Sequence, residues 1–366
     1  MHFHHPQPIR CHGYPSSYWL GCGCPTKHKY WTKVHLLGKG SYGTVHLAVC
    51  LDSYPCGSIA VKSAILEQSS SLMKEAEILK HFVDCPEIVR CLGVDLTVES
   101  GQRFFNLLLE YAPGGTLLDL IKKSGGKMQE NDLKKYTRMI LKGLCCMHEK
   151  GFVHCDLKPE NILVFPSSDG ASYVKITDFG LSKIPGDLNE LIMKKMFSFR
   201  GTPTYMSPES VVPGEIHSGL DIWSLGCIVV ELISGNLAWE FNDMEDLMVQ
   251  IATESPKIPE TMSEIGKDFL LRCFARDTRK RWAAKMLLRH PFLLETRSGT
   301  PSTRSAVCYS SAGNLLPPPG FESSSKKPFT QKDLPPPGFE SISKKPLLQK
   351  CLLPPPGFSS KRILQA

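Results

Sequence analysis

The 366-residue chain contains no run of roughly eighteen apolar residues, so a membrane-spanning helix is not expected. Its longest apolar stretch, Leu220 to Ile233, is interrupted by Asp221 and Glu231 and reads as a buried helix. Met1 to Arg10 lacks the apolar core of a secretory leader and carries His and Pro in its place. Without an export signal, the fourteen cysteines are expected as reduced thiols, in a cytoplasmic chain to which the nucleus is also open. The middle of the chain also lacks a positive surplus: residues 30–295 hold 30 basic against 33 acidic residues. The net charge of +7 comes from the flanks, with three basic and no acidic residues in 1–29, and ten against three in 296–366. A core that binds nucleic acid is therefore not expected. His2, His4, His5, Cys11, His12, Cys22, Cys24 and His28 match no common zinc spacing, so no structural metal is expected there.

With 42% hydrophobic and 22% charged residues, most of the chain can bury a core. The flanks cannot. Residues 296–366 hold twelve of the 28 prolines, a composition that buries too little apolar surface to offset the entropy of ordering. Leu-Pro-Pro-Pro-Gly-Phe recurs there at Leu316–Phe321, Leu334–Phe339 and Leu353–Phe358 and reads as three extended peptides on a flexible string. The expected division is a disordered leader (1–29), a folded domain (30–292) and a disordered tail (293–366). Strand-like runs at Trp31–Leu37, Gly43–Cys50, Ser58–Ala64 and Phe104–Tyr111, with one helical stretch at 71–82, make the first part of the folded domain strand-rich. After Pro113-Gly114-Gly115 the pattern turns helical: Thr116–Lys123, Asp132–Glu149, Gly219–Ser234, Met244–Thr253 and Lys267–Ala275. The fold class is α+β, with a small β-rich lobe (30–112) and a larger helical one (113–292).

Gly38, Gly40 and Gly43 stand in a GxGxxG spacing between two strand-like runs, where backbone amides can approach polyphosphate without a Cβ in the way. A dinucleotide fold would place a helix directly after them. Here Thr44 to Val49 reads as a strand, which favours a hairpin lid. Lys62 ends the apolar strand Ile59-Ala60-Val61 and is either a solvated edge residue or a cation over phosphates. His154-Cys155-Asp156-Leu157-Lys158-Pro159-Glu160-Asn161 places a carboxylate, an ammonium and a carboxamide within six residues, and Asp178-Phe179-Gly180 follows. Two Asp and one Asn near a phosphate cradle supply a general base and oxygen ligands for Mg²⁺.

Taken in this order, the motifs resemble the signature set of eukaryotic protein kinases over residues 31–292. The resemblance implies the bilobal kinase fold, with an antiparallel N-lobe and a helical C-lobe. It implies an enzyme that uses ATP and Mg²⁺. Leu37, Gly38, Lys39, Gly40, Ser41, Tyr42, Gly43, Thr44 and Val45 would cover ATP. Val45, Ala60 and Leu163 would enclose adenine, with Leu109 as gatekeeper and hinge contacts at Glu110 and Ala112. Lys62 would hold phosphates and pair with a helix glutamate. Of Glu75 and Glu77, Glu75 has Ile78 and Leu79 at the expected +3 and +4 positions. Asp156 would receive the substrate hydroxyl's proton, and Asn161 and Asp178 would bind Mg²⁺. Lys158 follows the serine/threonine pattern. Arg281 would pair with Glu209 below the segment Gly201-Thr202-Pro203 and Ser207-Pro208-Glu209.

Two positions depart from the family pattern. Cys155 replaces the usual arginine that binds a phosphorylated loop, so phosphorylation at a site such as Ser198 is expected to matter only modestly. Ser207 replaces alanine, with little effect expected. The motifs from Gly38 to Ala48, Pro113 to Leu117 and Gly201 to Ser210 are similar to plant MEKK-like MAP kinase kinase kinases. That likeness implies a MAP kinase kinase as protein substrate and a monomeric kinase domain. The alternative is an inert kinase-fold scaffold that acts through its tail, where the proline units resemble ligands of GYF adaptor domains.

Overall fold

A computed structural model of the chain describes residues 31–40, 43–50, 57–168, 170–183, 201–211 and 216–294. The leader, Ser41, Tyr42, Ser198 and the three proline units lie outside the described residues. Five strands open the fold: β1 (Trp31–Gly40), β2 (Gly43–Cys50), β3 (Ser58–Ile65), β4 (Cys91–Glu99) and β5 (Gln102–Glu110). They form one antiparallel sheet in the order β1-β2-β3-β5-β4. The two-residue period of β3 sends Ile59 and Val61 to one face, where they pack with Ala48 and Leu108. Ala60, Lys62 and Ala64 point the other way, toward the main core and the cleft. Helix α1 (Ser70–Leu79) covers that face, burying Leu72, Ala76 and Leu79 at helical spacing and Glu75 with them. Gly43 has φ +135°, and a Cβ there would lie 2.1 Å from the Ser63 carbonyl oxygen, so the chain passes β3 only as glycine.

The larger lobe begins at α2 (Leu117–Lys123), whose Thr116 cap exchanges hydrogen bonds with Asp119. It continues through α3 (Glu130–Glu149), the β6–β7 hairpin (Ile162–Pro166 and Ser172–Ile176) and α4 (Pro208–Val211). Then come α5 (Gly219–Ser234), α6 (Met244–Thr253), α7 (Glu264–Cys273) and α8 (Ala284–Leu287). Helix α5 is buried on every side: Trp223, Leu225, Ile228, Val229 and Leu232 are all inaccessible. Gly235 ends it in the left-handed conformation at φ 77°. The helical reading of Leu220–Ile233 and the α+β two-lobe class match this architecture. Strands β4, β6 and β7 are additions to the sequence reading, and the helix expected over 71–82 changes to a tighter 3₁₀ turn at Lys80–Phe82. No helix among the described residues is long and apolar enough to cross a membrane. Cys85, Cys91, Cys145, Cys146, Cys227 and Cys273 are free thiols.

Candidate active site

Lys62, Glu75 and Asp178 meet between the lobes. Lys62 Nζ donates to Glu75 Oε2 at 2.7 Å and to Asp178 Oδ1 at 2.9 Å. Glu75 Oε1 also accepts the Phe179 N–H at 3.3 Å, so α1 is tied directly to the Asp178-Phe179-Gly180 turn. Burial alone would lower the Lys62 pKa, but the two carboxylates outweigh it and hold the ammonium well above its ordinary value. Burial likewise opposes ionisation of Asp178, and the Lys62 charge holds that carboxyl below its usual range. Glu77 faces solvent and pairs with Lys80 at 2.6 Å, which separates the two glutamates as the spacing predicts. Phe179 is inaccessible and packs edge-on against His154, with ring centroids 5.3 Å apart.

The second cluster centres on Asp156. Its Oδ1 accepts the backbone N–H and the hydroxyl of Thr202, both at 2.8 Å. Its Oδ2 lies 3.2 Å from Lys158 Nζ and accepts Asn161 Nδ2 at 3.2 Å. Lys158 Nζ in turn donates to Thr202 Oγ1 at 2.7 Å. Asn161 Nδ2 also donates to the Asp156 carbonyl at 2.8 Å, which leaves the amide oxygen of Asn161 for another partner. A Cβ on Gly201 would lie 2.4 Å from the Cys155 carbonyl, so the approach of Thr202 to Asp156 depends on a bare backbone at φ +97°.

The loop carrying Asp156 hangs from a buried carboxylate. Asp221, 1% exposed on α5, accepts the N–H groups of His154 at 2.9 Å and Cys155 at 3.0 Å and the His148 Nε2 at 2.8 Å. Burial works against its charge, but these donors prevail and hold the Asp221 carboxyl below its ordinary value. His154 donates through Nε2 to the Thr177 carbonyl at 2.9 Å and accepts the Asp156 N–H on Nδ1 at 3.3 Å, so a single tautomer links the two catalytic segments. Cys155 and Asp178 both adopt left-handed backbone, at φ 67° and 66°, a strain of about 1 kcal/mol or more each that these bonds must outweigh. The Cys155 thiol donates to the Val153 carbonyl at 3.6 Å.

The nucleotide-side residues fall around the same cleft. Val45, Ala60 and Leu163 are half-buried. Leu109 and Ala112 are buried at the end of β5 and the start of the connection between lobes. Glu110 is half-buried, Leu37 is exposed, and Gly38, Lys39, Gly40, Gly43 and Thr44 form the described rim of the hairpin, where Lys39 pairs with Thr44 and Gly40 with Gly43. Below the cleft, Arg281 Nη2 donates to Glu209 Oε2 at 3.1 Å and its guanidinium lies 5.0 Å from the Trp223 ring. The Ser207 side chain is inaccessible and shares a 2.8 Å hydrogen bond with Ser210, a contact that alanine cannot make. Motif reading named Thr202 within Gly201-Thr202-Pro203 and Asp221 within a buried helix but gave neither a role in the site. Their bonds span 46 and 66 residues, beyond any local pattern.

This bilobal scaffold, with a lysine–glutamate–aspartate contact facing an aspartate–lysine–asparagine loop, defines a phosphotransferase cleft. The family model for the protein kinase domain matches residues 31–293, and the chain belongs to the protein kinase family. It is similar to mitogen-activated protein kinase kinase kinase 20 of Arabidopsis thaliana, 45% identical over 72% of this chain and 78% of that protein. Kinases 17 and 18 of the same Arabidopsis series are each 37% identical, over 72% of this chain and 69% and 77% of their own lengths. The chain is a serine/threonine protein kinase, and its family membership carries ATP-dependent phosphoryl transfer, generally with Mg²⁺.

Proposed function

We propose that the chain is a MAP kinase kinase kinase that transfers the ATP γ-phosphoryl group to serine or threonine hydroxyls of a MAP kinase kinase. The observation that carries this reading is the joint assembly of the Lys62–Glu75–Asp178 contact and the Asp156–Lys158–Thr202 cluster, together with the named relatives. It also speaks against an inert scaffold. Adenine lies between Val45, Ala60 and Leu163 and meets backbone groups at Glu110 and Ala112, under the hairpin from Leu37 to Val45. Lys62, fixed by Glu75, neutralises phosphate charge. Asp156 orients the acceptor hydroxyl and receives its proton, while Lys158 stabilises charge developing on the transferred group. The Asp178 carboxylate and the Asn161 amide are hard oxygen donors. Two protein ligands suit a cation that keeps water and phosphate oxygens as its other ligands. Mg²⁺ held by Asp178 and Asn161 would supply neutralisation of the phosphate charge.

The kinase domain acts as a monomer in the cytoplasm, and the three proline units serve as peptides for a GYF-type adaptor. The extended conformation of such peptides leaves little ordering entropy to oppose docking. The deciding experiment incubates labelled ATP with the full chain, its Lys62→Met variant and a panel of MAP kinase kinases. Labelling of a MAP kinase kinase by the wild type alone supports the reading; labelling of generic substrates but of no MAP kinase kinase rejects the proposed substrate class. For the tail, changing Phe321, Phe339 and Phe358 to alanine should remove an adaptor from pull-downs while sparing activity on a generic protein.

A further inference from the structure

Glu110 ends β5 and opens the connection between the lobes, and its carboxylate reaches into both. Oε1 accepts the Arg90 N–H at 2.7 Å on the N-lobe side. The Glu110 N–H is returned to the Arg90 carbonyl at 3.1 Å, so the two residues are locked to each other. On the other side, the same Oε1 accepts Lys175 Nζ at 2.6 Å from strand β7. The lysine is itself held in place. Its ammonium lies 5.1 Å from the Phe165 ring centroid and 5.9 Å from that of Tyr173, and those two rings stack at 5.3 Å. In the β6–β7 ladder Lys175 stands opposite Leu163. Directly opposed residues of an antiparallel pair project from one face, so the lysine and the cleft floor share a side of the hairpin.

We propose that Lys175 is a positioning residue for the nucleotide, strapping the hinge peptide at Glu110 to the strand pair that carries Leu163. The inference rests on the nucleotide placement proposed above. An unstrapped hinge samples several positions over the floor, and ATP must then order it on binding. A strapped hinge presents its backbone groups in register beforehand. Lys175 and Glu110 are 12% and 21% exposed, so the pair is partly screened and its effect is moderate. The strap coexists with the intact Lys62–Glu75 contact, so it belongs to the assembled state and does not compete with it.

The test uses the full chain and its Lys175→Met, Lys175→Arg, Glu110→Gln and Lys175→Met/Glu110→Gln variants. Initial rates on a generic protein substrate over a range of ATP concentrations are combined with calorimetric titration of a non-hydrolysable ATP analogue. Lys175→Met should raise KM for ATP and the analogue's Kd about fivefold, with kcat within about twofold. Lys175→Arg should restore both constants, and the double variant should be no worse than the worse single. Unchanged KM in Lys175→Met and in Glu110→Gln overturns the strap. So does a fall in kcat at constant KM, and so does tighter binding, which would mean that the pair holds the hinge away from nucleotide. If Lys175→Met melts early, Glu110→Gln carries the same comparison. A wild-type chain that does not bind the analogue overturns the nucleotide placement, and the strap with it.

Discussion

The two ends of the cleft restrain their charges in opposite ways. At the Lys62 end, three formal charges lie within hydrogen-bonding distance, with the Lys62 and Glu75 side chains only 11% and 1% exposed. One ammonium serves both carboxylates there, so removing Lys62 leaves Glu75 without its cation in a poorly solvated place. At the Asp156 end, one carboxylate is held mostly by neutral donors, from Thr202 and Asn161, with Lys158 at 3.2 Å. Its position survives the loss of its own charge far better than its chemistry does. The first end is built to hold and the second to react.

Substitutions can separate the two. Asp156→Asn should cut kcat by about a thousandfold while nucleotide affinity stays within a few-fold and the melting temperature hardly moves. Retention of a tenth of wild-type turnover would falsify the assignment of Asp156. Lys62→Met should act on the fold as well as on the rate, costing about 3 kcal/mol by chemical denaturation because Glu75 is left buried and unpaired. Equal denaturation midpoints for Lys62→Met and Asp156→Asn would erase the distinction between the ends. Thr202→Val keeps the backbone contact to Asp156 but removes the hydroxyl bridging it to Lys158, and about a tenfold loss in kcat is expected, with Thr202→Ser near wild type. Lys257→Ala, which breaks an outer pair with Glu240 at 72% and 79% exposure, should leave melting and rate where they were.

The difference between local and distant signals also decides what could be read beforehand. Two-residue alternation in Ser58–Ile65 and the all-round apolarity of Gly219–Ser234 are written in neighbouring residues, and both elements appear at or near their expected bounds. Choosing Glu75 over Glu77 rested on the family pattern of aliphatic residues at +3 and +4, which Ile78 and Leu79 supply. Strand β4 alternates as well, with Leu92, Val94, Leu96 and Val98 set between Gly93, Asp95, Thr97 and Glu99, so its signal was present and was passed over. Strand β7 is only five residues long beside a turn, and it forms because a partner strand supplies its hydrogen bonds, which is information from elsewhere in the chain. The bonds of Thr202, Asp221 and Lys175 were hidden for the same reason, since each is made only after the lobes have folded.

Asp221 has one more consequence. It fastens the loop through the N–H groups of His154 and Cys155, and an N–H is common to every residue except proline. The alignment of Asp156 therefore draws on the backbone of position 155, alongside whatever its side chain adds. A substitution at 155 that keeps the N–H leaves this attachment in place, whereas proline removes one of its two backbone donors.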